Sequence, residues 1–190
     1  MMKNLPNILT IMRVVLIPAI YLSLICEPVL GLWSYWLAVG FYAVAGITDF
    51  FDGWLARKLD VQSGFGRMLD PIADKLMVAA VLVMLVENGT LQGVHMLAAL
   101  IILSREILVS GLREYLIELR VGLPVSNLAK IKTTAQMVAL GFLLSGPAGA
   151  QVLTIAPQTG LALLWIAALL TIYTGYDYLR IGVKHAPWRD

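Results

Sequence analysis

The stretch DFFDGWLAR at residues 49–57 is followed, after eight residues, by GRMLDPIAD at residues 66–74, and together they place four aspartates in an otherwise apolar part of the chain. With 3.6 residues per turn, a helix through the first segment has five residues on one face: Asp49, Asp52, Gly53, Ala56 and Arg57. A helix through the second has three residues on one face: Gly66, Asp70 and Asp74. We therefore expect two helices, joined by a short loop, that bring two acidic faces together.

Carboxylates at this density repel one another, and a bound cation relieves the repulsion. The ligands would all be oxygens, because neither Cys nor His occurs in the stretch, and such a set indicates Mg²⁺, Mn²⁺ or Ca²⁺ rather than zinc or copper. Gly53 and Ala56 leave room beside the metal for a flat or phosphate-bearing ligand, and Arg57 can bind a phosphate oxygen. As an alternative, the aspartates cap helix ends or pair with nearby basic side chains.

The spacing of these residues resembles, without a departure, the signature of the CDP-alcohol phosphatidyltransferases. These are integral membrane enzymes that move a phosphatidyl or similar group from a CDP-linked donor to an alcohol. The resemblance implies two Mg²⁺ or Mn²⁺ ions on four ligands: Asp49, Asp52, Asp70 and Asp74. It implies four residues around the cytidine and its diphosphate: Gly53, Ala56, Arg57 and Gly66. It also implies that Asp74 is the general base and that the enzyme is a homodimer.

The composition indicates a membrane protein. Of 190 residues, 59% are hydrophobic and only 14% are charged, and the mean hydropathy is +0.82. A soluble domain of this size is less apolar. A single cysteine, Cys26, excludes a disulfide within the chain, and a net charge of +2 does not support a nucleic-acid partner.

Six apolar runs are long enough to cross a bilayer, which requires about 20 residues each. They lie at roughly 8–26, 32–56, 68–86, 94–117, 127–146 and 158–180. We therefore predict an all-α, polytopic membrane protein with six transmembrane helices. No repeat, low-complexity tract or long linker divides the sequence, which favours one domain over residues 1–190.

Basic residues are distributed unevenly among the connections between these runs. The connections at 27–31, 87–93 and 147–157 contain no Lys or Arg, whereas the 57–67 loop and both termini do. The positive-inside rule then predicts that both termini and the 57–67 loop are cytoplasmic. The expected location is the cell inner (cytoplasmic) membrane, with the active site facing the cytoplasm.

A second polar cluster lies in the fourth and fifth predicted helices: Arg105, Glu106, Arg113, Glu114, Lys130 and Lys132. A basic side chain in the middle of a membrane helix costs about 2.5–3.5 kcal/mol, so such residues usually face a wet cavity or a partner. One interpretation is a ladder of ion pairs, with lysines touching anionic headgroups. The other is a pocket for a phosphorylated acceptor, with Arg113 and Lys130 as the main ligands and Lys132 and Arg105 behind them.

Three further segments look like the phosphatidylglycerophosphate synthases of the same family: PNILTIMR at 6–13, REILVSGLRE at 105–114 and SNLAKIKTTAQ at 126–136. This likeness implies CDP-diacylglycerol as donor and sn-glycerol 3-phosphate as acceptor, with membrane lipids as the surroundings. It also suggests that Asn7 and Thr10 contact the donor from the first helix.

Other functions make different predictions. A sibling enzyme would use another alcohol, such as inositol phosphate or serine. A divalent-cation transporter would have polar residues along a whole path, yet the predicted outer halves of helices two and three, residues 33–45 and 78–86, contain no charge. A purely structural membrane subunit leaves the face with Gly53, Ala56 and Arg57 without a purpose.

Overall fold

The computed structural model describes residues 5–59, 64–119 and 127–185, except for the side chains at 5–7, 50–59, 64–65, 67, 118, 127, 129 and 184–185. This part of the chain is all-α, as predicted. Its helices are α1 (Leu5–Ile25), α2 (Glu27–Leu30), α3 (Trp33–Leu59), α4 (Gly64–Glu87), α5 (His95–Glu118), α6 (Asn127–Val152) and α7 (Ala156–His185).

The long helices occupy the six predicted apolar runs, and the four-residue α2, which was not predicted, lies between the first two of them. Within the described residues, three helices are long and apolar enough to cross a membrane: α1, α5 and α7. In α4 the charges of Asp70, Asp74, Lys75 and Glu87 interrupt the apolar surface. The chain is thus an all-α membrane protein with charged residues inside its helices as well as in the connections between them.

The core between the helices contains fully buried apolar side chains from five of them: Ile20 of α1, Leu85 of α4, Ile102 of α5, Leu140 of α6 and Leu164 of α7. From α3 the core receives the small Ala38 and the ring of Tyr42. Lipid tails are as apolar as these side chains, so close packing, rather than transfer out of water, stabilises the contacts between the helices.

Helix α6 is kinked at Gly146. Gly146 has φ 47° and ψ −134°, which lies in the region that favours glycine, and Pro147 follows it. A Cβ on Gly146 would lie only 2.8 Å from ring atoms of Tyr35 on α3. The predicted end of the fifth apolar run at residue 146 coincides with this break.

The packing order of the helices brings two groups of them face to face. Helix α1 packs against α3 and α4, while α7 packs against α5 and α6. Contacts between α3 and α6 join the groups, and there the hydroxyl of Tyr42 donates to the carbonyl oxygen of Met137 at 3.1 Å. The end of α3 and the start of α4, which carry the predicted acidic faces, therefore lie opposite the polar parts of α5 and α6.

Candidate active site

Three of the four predicted aspartates surround the guanidinium of Arg13. Arg13 Nη1 lies 2.6 Å from Oδ1 of Asp49 on α3 and 2.6 Å from Oδ1 of Asp74 on α4. Nη2 is 3.9 Å from Oδ1 of Asp70. Because these residues come from three helices, the folded bundle is what brings the carboxylates together.

Helix α1 contributes a second contact one turn before Arg13. Thr10 is buried, and its hydroxyl donates to Oδ1 of Asp70 at 2.5 Å. Residues three apart share a helix face, so Thr10 and Arg13 approach α3 and α4 together. Thr10 thus fixes Asp70, while Arg13 neutralises part of the charge of Asp49 and Asp74.

Arg13 and the aspartates differ in their exposure. The side chain of Arg13 is 3% exposed, whereas those of Asp49, Asp70 and Asp74 are 47%, 41% and 53% exposed. The carboxylates consequently keep oxygens that a ligand can reach, while the guanidinium is enclosed behind them.

The donor set fits a hard divalent cation. All the converging acidic groups are carboxylates, which is the ligand type that Mg²⁺ and Mn²⁺ prefer, and two of them already contact a cation, the guanidinium of Arg13. Among the described side chains, no three acidic, His or Cys residues lie in an arrangement that could hold a metal ion. The side chain of Asp52, the fourth predicted ligand, lies outside the described ones.

A cavity of about 560 Å³ lies beside the aspartates. Its acidic wall contains Asp49 and Asp74, with Arg13 between them. Its basic wall contains the four predicted phosphate ligands: Arg105, Arg113, Lys130 and Lys132. One cavity is therefore lined by members of both charged clusters that the sequence suggested.

In the basic wall, Glu106 contacts two cations. The ammonium of Lys132 donates to Oε1 of Glu106, and Arg105 Nη1 lies 3.4 Å from the same oxygen. All three side chains are enclosed, with exposed fractions of 6% for Lys132, 14% for Arg105 and 18% for Glu106. An enclosed pair is expensive to break, so Glu106 holds both cations at fixed positions in the wall.

Helix α7 supports Arg105 from the other side. Arg105 Nη2 donates to the hydroxyl of Thr174 at 3.1 Å, and the guanidinium carbon lies 5.9 Å from the centre of the Tyr178 ring. The ring also lines the cavity. Thus α7, which the sequence did not connect with the site, closes one side of it.

Arg113 and Lys130 are more accessible than the enclosed pair. Both line the cavity and both are exposed. Within the described part of the chain, neither forms a salt bridge, so their charges are available to a ligand. Lys75, also in the wall, instead donates to the hydroxyl of Ser110 and links α4 to α5.

Five predicted site residues lie in helices, but the structure does not describe their side chains: Asn7, Asp52, Gly53, Ala56 and Arg57. Their predicted roles stay predictions. Gly66 is described and buried at the start of α4, outside the set of residues that line the cavity.

The central position of Arg13 was not predicted, because the sequence placed this residue only at the end of the segment PNILTIMR. The sequence analysis also missed Gln136 and Tyr178, which line the cavity, whereas Glu106 was named in the second polar cluster as a possible ion-pair partner. A partial signal existed, since Thr10 and Arg13 share one face of α1, and Lys132 and Gln136 are one turn apart on α6.

Comparison with known protein families matches residues 3–173 to CDP-alcohol phosphatidyltransferase. The chain belongs to this family. The matched region contains all four aspartates and the four predicted phosphate ligands of the basic wall, so the CDP-alcohol phosphatidyltransferase signature suggested by the sequence is confirmed as a family membership.

Relatives within the CDP-alcohol phosphatidyltransferases are similar over nearly the whole chain. A protein of Rickettsia felis is 45% identical over 183 residues, covering 96% of this chain and 97% of its own. One from Pseudomonas fluorescens is 45% identical, covering 96% and 91%. One from Escherichia coli K12 is 41% identical, covering 94% of each. All three bear the name CDP-diacylglycerol–glycerol-3-phosphate 3-phosphatidyltransferase.

Proposed function

We propose that this protein transfers the phosphatidyl group of CDP-diacylglycerol to sn-glycerol 3-phosphate, giving phosphatidylglycerophosphate and CMP, as a step of anionic phospholipid biosynthesis. The observation that carries the proposal is the shared name of relatives at 41–45% identity over more than nine-tenths of the chain. The cavity supports it, because one wall is acidic and the other basic. A metal-bound diphosphate and a phosphate monoester need such a pair of walls.

On the acidic wall, the proposed ligands of two Mg²⁺ or Mn²⁺ ions are Asp49, Asp52, Asp70 and Asp74. When bound, the ions would neutralise the diphosphate, polarise its P–O bonds and stabilise the leaving phosphate. Thr10 and Arg13 hold three of the carboxylates in place from α1. In this proposal Thr10 acts on the donor through Asp70.

Asp74 is the proposed general base. It lines the cavity, and half of its side chain is exposed there, so an acceptor hydroxyl can approach it. Arg13 fixes Oδ1, which leaves the second carboxylate oxygen to take the proton as the hydroxyl attacks phosphorus. The proposed surroundings of the cytidine and diphosphate are Asn7, Gly53, Ala56, Arg57 and Gly66.

On the basic wall, the acceptor phosphate is proposed to bind Arg113 and Lys130, with Lys132 and Arg105 behind them. The greater exposure of the first two supports this order. Arginine and lysine form charge-assisted hydrogen bonds with phosphate oxygens, and these bonds are stronger than neutral ones. An acceptor held there has its free hydroxyl end directed toward the acidic wall.

The remaining proposals concern the setting of the enzyme. We propose one domain over residues 1–190 with six membrane spans, in the cell inner membrane, with both termini and the active site on the cytoplasmic side. Water-soluble glycerol 3-phosphate would then reach the cavity from the cytoplasm. We further propose a homodimer.

The function is tested by incubating purified protein with CDP-diacylglycerol, Mg²⁺ and one acceptor at a time, and measuring released CMP. Glycerol 3-phosphate should support release, while inositol phosphate and serine should not. A preference for either of the latter would identify a sibling reaction instead. Release without any acceptor would indicate hydrolysis and would contradict the transfer.

The topology is tested by cysteine labelling in sealed, right-side-out cells after Cys26 has been replaced by Ser. A membrane-impermeant maleimide should label Gln92→Cys, in the connection between α4 and α5, and miss Ser63→Cys, in the segment outside the described residues. The reverse pattern would mean that the protein has the opposite orientation.

A further inference from the structure

Gln136 is an enclosed polar residue on the cavity wall. It lies on α6, one turn after Lys132, and is 3% exposed. It lines the cavity, and its oxygen Oε1 has no hydrogen-bond partner among the described residues. An amide oxygen that is removed from water needs a donor, because leaving it unpaired costs free energy.

The position distinguishes Gln136 from other buried oxygens. The hydroxyl oxygens of Ser34 and Thr171 are also enclosed and lack a partner in the described part of the chain, but neither residue lines the cavity. Ser34 and Thr171 are surrounded by protein, whereas the side chain of Gln136 belongs to the wall of a space that a ligand can enter. The missing donor is therefore expected to come from a bound molecule.

The neighbours of Gln136 indicate which part of a ligand it meets. Lys132, one turn earlier on α6, belongs to the basic wall. Met137, the next residue, packs against Gly46 of α3, where an added Cβ would lie 3.3 Å from its Cε. Gly46 is one turn before Asp49. Gln136 thus lies between the basic wall and the carboxylates.

This inference rests on the proposed function, in which the acceptor extends from the basic wall to the carboxylates and so passes Gln136. Glycerol 3-phosphate has its phosphate at one end, its primary hydroxyl at the other and a secondary hydroxyl between them. The phosphate offers no donor when ionised, and the primary hydroxyl gives its proton to Asp74. The secondary hydroxyl is the donor that remains.

We propose that Oε1 of Gln136 accepts a hydrogen bond from the secondary hydroxyl of the acceptor and makes Gln136 a specificity-determining residue. An acceptor without that hydroxyl would leave the enclosed amide oxygen without a hydrogen-bond donor. Sites built to bind a hydroxyl reject analogues that lack it for this reason.

The test compares two acceptors that differ by one hydroxyl, glycerol 3-phosphate and 3-hydroxypropyl phosphate. The measurement is kcat/KM for CMP release with each, using purified protein, CDP-diacylglycerol and Mg²⁺. The wild-type enzyme should prefer glycerol 3-phosphate by roughly tenfold or more. Gln136→Met, which keeps the length and removes the oxygen, should reduce the preference to about twofold or less.

Two further variants make the comparison specific. Gln136→Glu keeps an oxygen acceptor and should retain the preference, because its added charge acts equally on two acceptors that carry the same phosphate. Thr134 also lines the cavity, and its hydroxyl already donates to the carbonyl oxygen of Lys130 at 3.1 Å. The Thr134→Val variant should therefore also retain the preference for glycerol 3-phosphate.

An unchanged preference in Gln136→Met overturns the proposal, as does a wild-type enzyme that uses both acceptors equally well. If Gln136→Met does not fold, loss of the preference in Gln136→Glu overturns it instead. Absence of CMP release by the wild-type enzyme with glycerol 3-phosphate would overturn the proposed function itself, which is a distinct result.

Discussion

On the wall formed by α1, α3 and α4, one enclosed guanidinium, that of Arg13, faces three carboxylates. On the opposite wall, formed by α5, α6 and α7, one carboxylate, that of Glu106, contacts two cations. Two exposed cations, Arg113 and Lys130, form no salt bridge with any other described residue. Among the described residues, each wall thus has an excess of one charge, and that charge contacts an enclosed group of the other sign.

The walls differ in which charges are enclosed. In the acidic wall the carboxylates that are in excess are about half exposed, so the residues held by Arg13 can themselves bind a ligand. In the basic wall the cations held by Glu106 are nearly enclosed, and the exposed Arg113 and Lys130 are separate residues. We infer that the acidic wall is one layer of ligands, whereas the basic wall has a fixed inner layer and an accessible outer one.

The largest expected effect comes from a carboxylate of the acidic wall. Asp74→Asn should lower activity by about 10²–10⁴-fold without unfolding the protein, because it removes the proposed base and one metal ligand together. Asp70→Asn should also remove most activity, and a chelator should do the same to the wild-type enzyme. The measurement is CMP release at matched expression.

Asp177→Asn is the matched control for these variants. Asp177 is an exposed aspartate of α7 that does not line the cavity, so its amide variant should behave as wild type. Full activity of Asp70→Asn in the presence of a chelator would mean that the acidic cluster has only a structural role.

The second effect is on stability. Arg13→Met leaves three carboxylates without their enclosed cation, which should lower the free energy of unfolding by about 2–3 kcal/mol. The expected loss is no larger than the low end for a buried ion pair, because the carboxylates are about half exposed. The thermal unfolding midpoint in chelator should fall by roughly 5–10 °C for a chain of this size. Added Mg²⁺ should recover part of the loss, since it supplies positive charge to the same groups.

Arg180→Met, which removes an exposed cation from α7, serves as the control and should leave the midpoint unchanged. If Mg²⁺ stabilised the wild-type protein and Arg13→Met by equal amounts, Arg13 and the metal would not act on the same carboxylates.

Some features of the two walls could be predicted from the sequence, and others could not. The long helices follow from apolar runs and turns, and the shared face of Asp70 and Asp74 follows from the helical period, since both are local properties. The contacts of Arg13 with Asp49 and Asp74 join residues 36 and 61 positions apart. Helical periodicity says which residues share a face but not which face meets another helix, so Arg13 could not be placed.

The basic wall was ambiguous for a related reason. Its residues fitted both an ion-pair ladder and a phosphate pocket, and the structure contains elements of both. Arg105 and Lys132 pair with Glu106, while Arg113 and Lys130 stay accessible. Residues of the same type thus have different surroundings, because the packing of α5 and α6 against α7 decides which of them meet. The four-residue α2 was missed because it is too short to show a period.

The third prediction addresses the outer layer of the basic wall. Arg113→Ala or Lys130→Ala should remove a charge-assisted contact worth about 1.5–3 kcal/mol, which is roughly ten- to hundredfold in affinity for glycerol 3-phosphate. The KM for CDP-diacylglycerol should change little. Glycerol without its phosphate should be a poor acceptor, and the variants should discriminate less between the two acceptors than the wild-type enzyme does.

A different change in KM would contradict the proposed role of Arg113 and Lys130. If either substitution raises the KM for CDP-diacylglycerol and leaves that for glycerol 3-phosphate unchanged, the exposed cations bind the nucleotide or lipid headgroups, and the acceptor lies elsewhere.

The smallest expected effect concerns the inner layer, through Tyr178. Its ring faces the Arg105 guanidinium at 5.9 Å, close to the limit at which a cation and a ring attract each other, so the contact is worth about 0.5–1 kcal/mol. Tyr178→Leu should therefore raise the KM for glycerol 3-phosphate only about two- to fivefold, because Glu106 and Thr174 still hold Arg105.

The ring of Tyr178, rather than its hydroxyl, contacts Arg105, so Tyr178→Phe should have the wild-type KM for glycerol 3-phosphate. Tyr176→Leu removes an exposed ring from the same helix and controls for a general effect on α7. If Tyr178→Phe is impaired as strongly as Tyr178→Leu, the hydroxyl acts directly in the cavity. The inner layer would then include a group that binds the ligand, and the contrast between a fixed inner layer and an accessible outer one would not hold.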